Sequence, residues 1–196
     1  MASKGYFIVL EGIDGCGKTT IANLLAKQFR NVWVTKEPTT QTAAGKKIQA
    51  ILQHKQSAPP ALAMQKLYIA DRIVHTKKIE AALARGKTVI CQRYAISTFA
   101  YGTAFGVTKK DLQHDFLKPD ATILLDLPAQ EAMKRIEMRK ENREYFEKKE
   151  KLEKIRKKYL ALAKSFGATV VDARPAPELL INQLTKIVRR RIIQEK

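Results

Sequence analysis

The chain has 196 residues, 45% of them hydrophobic, enough for one α/β domain with a substantial core. It carries 37 Lys and Arg against 19 Asp and Glu, a net charge of +18. Among residues 134–196 the charges alternate, with Glu137, Glu141 and Glu144 set among Arg135, Arg139, Lys140 and Arg143, which reads as solvated helix surface rather than a nucleic-acid stripe.

The apolar stretch at residues 6–10 is too short for a signal sequence, and no run approaches the ~20 apolar residues of a membrane span. Cys16 and Cys91 have no zinc spacing. A cytoplasmic chain with no membrane contact and no disulfide is expected.

In chain order, residues 6–10 (Tyr-Phe-Ile-Val-Leu) form a short continuous apolar run, as a strand buried on both faces requires. Glycines follow, then the helical pattern Ile21, Leu24, Leu25, Phe29. Residues 32–34 predict a second strand and 43–53 a helix. Pro59 and Pro60 break the chain. Residues 61–85 predict a long helix with Leu62, Leu67, Ile69, Ile73, Ile79 and Leu83 available to pack, and Gly86 as its cap. Strands are expected at 88–91, at 121–125 ending on Asp126, and at 168–171 ending on Asp172. Helices are expected from about Gln130, then up to Phe166, and over 178–193. Strands alternating with helices imply an α/β fold with a parallel sheet covered on both faces and ligands at the carboxyl ends of its strands.

The segment Gly12-Ile13-Asp14-Gly15-Cys16-Gly17-Lys18-Thr19 fits the phosphate-binding pattern G-x-x-x-x-G-K-[ST] and lies between a strand and a helix. Its glycines let the backbone curl until N–H groups point at phosphate oxygens, and the helix that follows adds its positive end. Lys18 is placed to reach the β- and γ-phosphates, and the Thr19 hydroxyl to hold Mg²⁺. No base-reading N-K-x-D is present, which argues against a regulatory GTPase.

After the third strand, Arg93 can fork onto a second phosphate. Ser97 and Thr98 offer hydroxyls, and Tyr101 lies one helical turn beyond Thr98. Ser97 reads equally as a helix N-cap and Tyr101 as a core residue. On the long helix, Tyr68 and Arg72 are four apart and share a face, a ring and a guanidinium that could read a base. Asp71 and Arg72 could equally be surface charges.

In order and spacing these pieces resemble the thymidylate kinases along nearly the whole chain. The residues that carry the resemblance are Glu11-Gly-Ile-Asp-Gly-Cys-Gly-Lys-Thr-Thr20, Lys36-Glu37-Pro38, Tyr68 with Asp71-Arg72, Gln92-Arg93-Tyr94 with Ser97-Thr98 and Ala100-Tyr101, Asp126-Leu-Pro128, Arg135/Arg139/Arg143, and Val171-Asp172-Ala173.

The resemblance implies a P-loop three-layer sandwich, a five-stranded parallel sheet with a small lid near residues 139–148, in a single domain over the whole chain. It implies ATP with Mg²⁺ as phosphoryl donor, dTMP as acceptor, and a homodimer. Gly12 to Thr20, with Asp172 and Ala173 near the adenine, would bind ATP. Asp14 would contact the acceptor's 3′-hydroxyl, Tyr68 would stack on thymine, Arg72 would hydrogen-bond its edge, and Ser97 and Thr98 would help line the base pocket. Tyr101 would exclude a 2′-hydroxyl, Arg93 would hold the acceptor phosphate, and Glu37 and Pro38 would shape the pocket. Gly15 stands where some members carry an arginine, so Arg139 and Arg143 of the lid would supply it alongside Lys18.

Two departures stand out. Gln92 replaces the family's aspartate beside the metal, so a neutral amide would serve there and Glu11 would take part of its role. Thr39-Thr40 replace glycines, which would stiffen that loop. A kinase for another nucleoside monophosphate or for a deoxynucleoside, and an ATP-dependent nucleic-acid-binding module, are the competing readings. Gln92 argues against a deoxynucleoside acceptor, which needs a base.

Overall fold

A computed structural model describes residues 5–138 and 144–194. Five strands form one all-parallel sheet: β1 (Phe7–Glu11), β2 (Val32–Lys36), β3 (Thr88–Gln92), β4 (Ala121–Asp126) and β5 (Thr169–Asp172), in the order β2-β3-β1-β4-β5. The helices are α1 (Lys18–Ala26), α2 (Ala43–Leu52), α3 (Ala61–Ala84), α4 (Ala95–Ala104), α5 (Ala129–Met138), α6 (Lys149–Ala163) and α7 (Pro177–Gln194), with a short 3-10 turn at Lys110–Leu112.

All five residues of the central strand β1 are buried, because side chains alternate between two covered faces. Ile8 and Leu10 pack in one cluster with Ile21 and Leu25 of α1, whereas Phe7 and Val9 pack in another with Ile79 and Ala82 of α3. Each of these Phe, Ile, Leu and Val side chains stabilises the fold by about 1.5–3 kcal/mol. Register places Leu10 opposite Gln92 and Glu11 opposite Leu124. The carboxyl ends of β1, β3 and β4 therefore open along one edge.

The strands lie within a residue or two of the segments expected from the sequence. Gly86 stands just past α3 at φ 72 and returns its N–H to Leu83, as a left-handed cap does. The packing face of α3 differs from the apolar one expected. Ile73 is 41% exposed and Val74 45%, while Gln65, Asp71, Arg72 and His75 are buried beside Met64, Ile79 and Ala82. The positions 65, 68, 72, 75, 79 and 82 follow the helical period, but the first half of that stripe is polar. Asp71 and Arg72 are interior residues, not surface charges.

Candidate active site

The loop after β1 turns back through three glycines with positive φ: Gly12 (138), Gly15 (79) and Gly17 (92). A Cβ at Gly12 would lie 2.5 Å from the Leu125 carbonyl oxygen, and one at Gly15 2.6 Å from that of Ala132. Any side chain at position 15 would collide with the α5 backbone, so this loop cannot itself carry an arginine there. The curl brings Lys18, at the first turn of α1, back over the loop. Its Nζ donates to the carbonyls of Gly12 (3.0 Å) and Ile13 (2.8 Å). Burial and the nearby Arg93 charge lower the Lys18 pKa, so an incoming anion relieves an unfavourable charge. Thr19 donates its hydroxyl to Gln92 Oε1 at 2.8 Å, which joins the two residues expected at the metal.

Arg93 follows β3 at φ 65, a left-handed conformation that costs a non-glycine residue about 1–3 kcal/mol. Four contacts hold it there. Its N–H donates to the Leu10 carbonyl, its guanidinium pairs with Asp14, and Nη1 reaches the Gly12 carbonyl and the Tyr159 hydroxyl. Arg93 thus turns toward the phosphate loop, not to bulk solvent.

Tyr101 of α4 donates to the other Asp14 oxygen at 3.0 Å, and Arg93 lies over its ring. Burial alone would raise the Asp14 pKa, but Arg93, Lys18 and the Tyr101 donor outweigh it and hold the carboxylate below its ordinary value. Burial pushes the Tyr101 and Tyr159 hydroxyls well above the ordinary range, so both remain donors.

Glu11 is fully buried and its oxygens are saturated. Oε1 accepts from the N–H groups of Tyr94 and Ser97, and Oε2 from the hydroxyls of Ser97 and Tyr159. Glu11, expected to take part of the role at the metal, thus has both oxygens engaged by protein donors. Its charge sits at the positive end of α4 and takes two of the N–H groups there, those of Tyr94 and Ser97. Ser97 is the third residue of α4 rather than its N-cap.

A second network shapes the other end. Arg72 is 2% exposed; Nε donates to Glu37 (2.6 Å), Nη1 to the Thr98 hydroxyl (2.8 Å) and Nη2 to the Tyr94 carbonyl (2.8 Å). These contacts turn its guanidinium into the wall, behind the pocket surface where a base-edge donor was expected. His75 holds the second Glu37 oxygen through Nδ1 (2.9 Å) and meets the Thr35 hydroxyl through Nε2. Glu37, His75 and Cys91 also converge closely enough to suggest a metal. Arg72 and His75 already engage the carboxylate, however, and burial keeps the Cys91 thiol protonated, donating to the Arg93 carbonyl. Asp71 takes the N–H and hydroxyl of Thr39 (both 2.7 Å) and the hydroxyl of Thr42, the N-cap of α2. A glycine at 39 could not offer that hydroxyl.

Between these networks lies one cavity of about 760 Å³. Asp14, Gly15, Gly17, Lys18, Thr19 and Thr20 line its donor end. Glu37, Pro38, Tyr68, Gln92, Arg93, Ser97, Thr98 and Tyr101 line the remainder. Gly12, Ile13 and Cys16 contribute backbone behind that surface. Ala173 is buried, and Asp172 pairs at the surface with Arg174.

Arg139 and Arg143 lie outside the described residues. Arg135 of α5 does line the cavity; it donates to the Arg174 carbonyl and lies near Gly17. The cavity wall also includes Phe146, edge-on to the Tyr101 ring at 4.9 Å. Sequence reasoning did not find Gln65, His75, Phe146 or Tyr159. For the two on α3, helical spacing from Tyr68 and Arg72 was the available signal.

A family model for thymidylate kinase matches residues 10–184. The chain belongs to the thymidylate kinase family. The probable thymidylate kinase of Pyrococcus horikoshii is 40% identical over 97% of this chain and 98% of that protein. That of Methanocaldococcus jannaschii is 41% identical over 85% and 86%. A solved thymidylate kinase from Candida albicans matches with a TM-score of 0.79 at 24% identity, covering 95% of this chain and 92% of that one, a likeness of fold.

Proposed function

We propose that this thymidylate kinase family chain phosphorylates dTMP to dTDP with ATP. The observation that carries the reading is a cavity of about 760 Å³ with a glycine-bent phosphate loop at one end and Arg93, held by Asp14, facing it. Two anions must meet there. An acceptor phosphate oxygen attacks the γ-phosphorus, the bond to the β,γ-bridging oxygen breaks, and ADP leaves. Lys18 offsets charge on the donor and Arg93 on the acceptor, which removes repulsion and follows charge onto the transferring group.

The loop fits a triphosphate because its inward face is backbone, closed to any Cβ at Gly12 and Gly15. Mg²⁺ bound with ATP would be held by the Thr19 hydroxyl and the Gln92 amide oxygen and would neutralise charge on the phosphates. Gln92 contributes no charge there, so metal affinity falls relative to a carboxylate.

Asp14 and Tyr101 form the sugar end, Tyr68 stacks on the base, and Glu37, Pro38 and Thr98 set the wall, with Ser97 beneath. Arg72 acts through Glu37 and Thr98. Asp172 and Ala173 lie toward the adenine. The lid near 139–148, with Arg139 and Arg143, belongs to the same catalytic unit spanning 1–196. The enzyme acts in the cytoplasm; no helix among the described residues is long and apolar enough to cross a membrane. The exposed Ile73 and Val74 on α3 suit a homodimer contact.

A coupled ADP-release assay across nucleoside monophosphates, with and without Mg²⁺, tests the reading. Fastest turnover on dTMP, dependent on Mg²⁺, is expected. ADP release that ignores the acceptor would contradict it.

A further inference from the structure

Gln65 lies on α3 one turn before Tyr68, lines the cavity and is only 3% exposed. Its Oε1 is buried and has no hydrogen-bond partner among the described residues. A buried amide oxygen without a donor is costly, and native interiors rarely keep one unless something else completes it. The stem gives no reason for the amide head. Cγ packs against α4, 3.2 Å from where a Cβ of Gly102 would stand, and a purely apolar residue would serve that contact as well.

Position says what completes it. Gln65 stands on the α3 face that carries Tyr68 and meets α4 one turn beyond Thr98, so it belongs to the base end of the cavity. The opposite end is taken by Asp14, Arg93 and Tyr101. A pyrimidine-2,4-dione has a single ring N–H donor on its pairing edge, at N3, flanked by two carbonyl oxygens. A primary carboxamide matches that edge, because its oxygen accepts from N3–H while its nitrogen donates to a neighbouring carbonyl.

We propose that Gln65 is a specificity-determining residue that accepts a hydrogen bond from the N3–H of the acceptor's dione base. This assignment rests on the function proposed above. It gives the pocket a reason to reject a base whose N3 edge can form no hydrogen bond, such as an N3-methylated dione. A site built to bond an N–H discriminates strongly against an analogue that lacks it, because its own polar group is then left unpaired.

The test is equilibrium binding of dTMP and of its N3-methyl analogue to the full chain, wild type and Gln65→Met, by calorimetry. Methionine keeps an unbranched stem against α4 and removes both amide atoms. The wild type is expected to bind dTMP at least about tenfold more tightly than the methylated analogue. Gln65→Met is expected to lose about tenfold for dTMP, to hold both ligands within about twofold of each other, to keep its ATP affinity, and to melt at the same temperature or higher. Methyl discrimination that survives in Gln65→Met, or is missing from the wild type, overturns the assignment and leaves the function standing. A wild type that does not bind dTMP at all overturns both.

Discussion

The two ends of the cavity are built in different ways. The donor end is backbone: three glycines at positive φ, the start of α1, and one lysine folded back onto the loop's own carbonyls. The acceptor end is side chains, with Arg72, His75 and Glu37 buried together, Asp71 tying down Thr39 and Thr42, and Glu11 seated under α4. Backbone that curls for an anion needs no network to keep its shape. Polar side chains in a core must satisfy each other, so specificity and stability become the same residues. Variants at the donor end should therefore lose activity without stability, and variants that break the hydrogen-bonded network of the acceptor end should lose both.

The strongest challenge to that contrast is Arg72→Met. It strips one oxygen of buried Glu37 of its partner, and breaking a buried pair costs about 3–5 kcal/mol. At roughly 2–4 °C per kcal/mol for a chain of this size, thermal unfolding should fall by about 10 °C, with a higher KM for dTMP. An unchanged melting temperature would break the link between specificity and stability.

Lys18→Ala is the donor-side counterpart. Loss of about 3 kcal/mol of transition-state stabilisation, more than a hundredfold in kcat, is expected by analogy with oxyanion donors. Because burial and Arg93 already disfavour the Lys18 charge in the folded chain, its melting temperature should stay level or rise.

Asp14 lies where the two ends touch, and its effect depends on pH. Its folded pKa is lowered, so the unfolded chain binds the proton more readily, and stability from the Arg93 pair is complete above the ordinary carboxylate value and lost as pH falls through the lowered one. Wild type should exceed Asp14→Asn by about 1.5–3 kcal/mol at neutral pH in urea titrations. The gap should close below about pH 4. A gap independent of pH would mean the pair contributes nothing through charge.

The smallest effect is expected from Thr39→Gly, which removes one hydroxyl from Asp71 and adds chain freedom, about 1 kcal/mol together. A slightly higher KM for dTMP and an unchanged kcat would mark it as a loop effect.

What the sequence revealed follows the same division. Gly12 to Thr19 could be read directly, because backbone geometry demands glycine at fixed positions and the pattern is local. The five strands were legible for a similar reason: a strand covered on both faces must be a short apolar run. Arg93 and Tyr101 were legible as types suited to phosphate and sugar, though not the left-handed turn that aims Arg93.

The acceptor wall was harder to see. The apolar residues of α3 suggest an apolar packing stripe, but Gln65, Arg72 and His75 occupy the inward positions, and nothing local says that Glu37 or Thr98, far along the chain, will satisfy Arg72 and His75. The setting of Glu11 is hidden for the same reason. Its partners lie on α4 and α6, and only the fold shows that four donors already fill it.

The central claim is that one cavity holds donor and acceptor nucleotides together, phosphate to phosphate. Calorimetric titration with a molecule joining adenosine and thymidine through five phosphates tests it most directly. One site per chain is predicted, tighter than either nucleotide alone and weakened by prior saturation with ATP or with dTMP. Competition by ATP alone, with dTMP still binding beside the joined molecule, would contradict it.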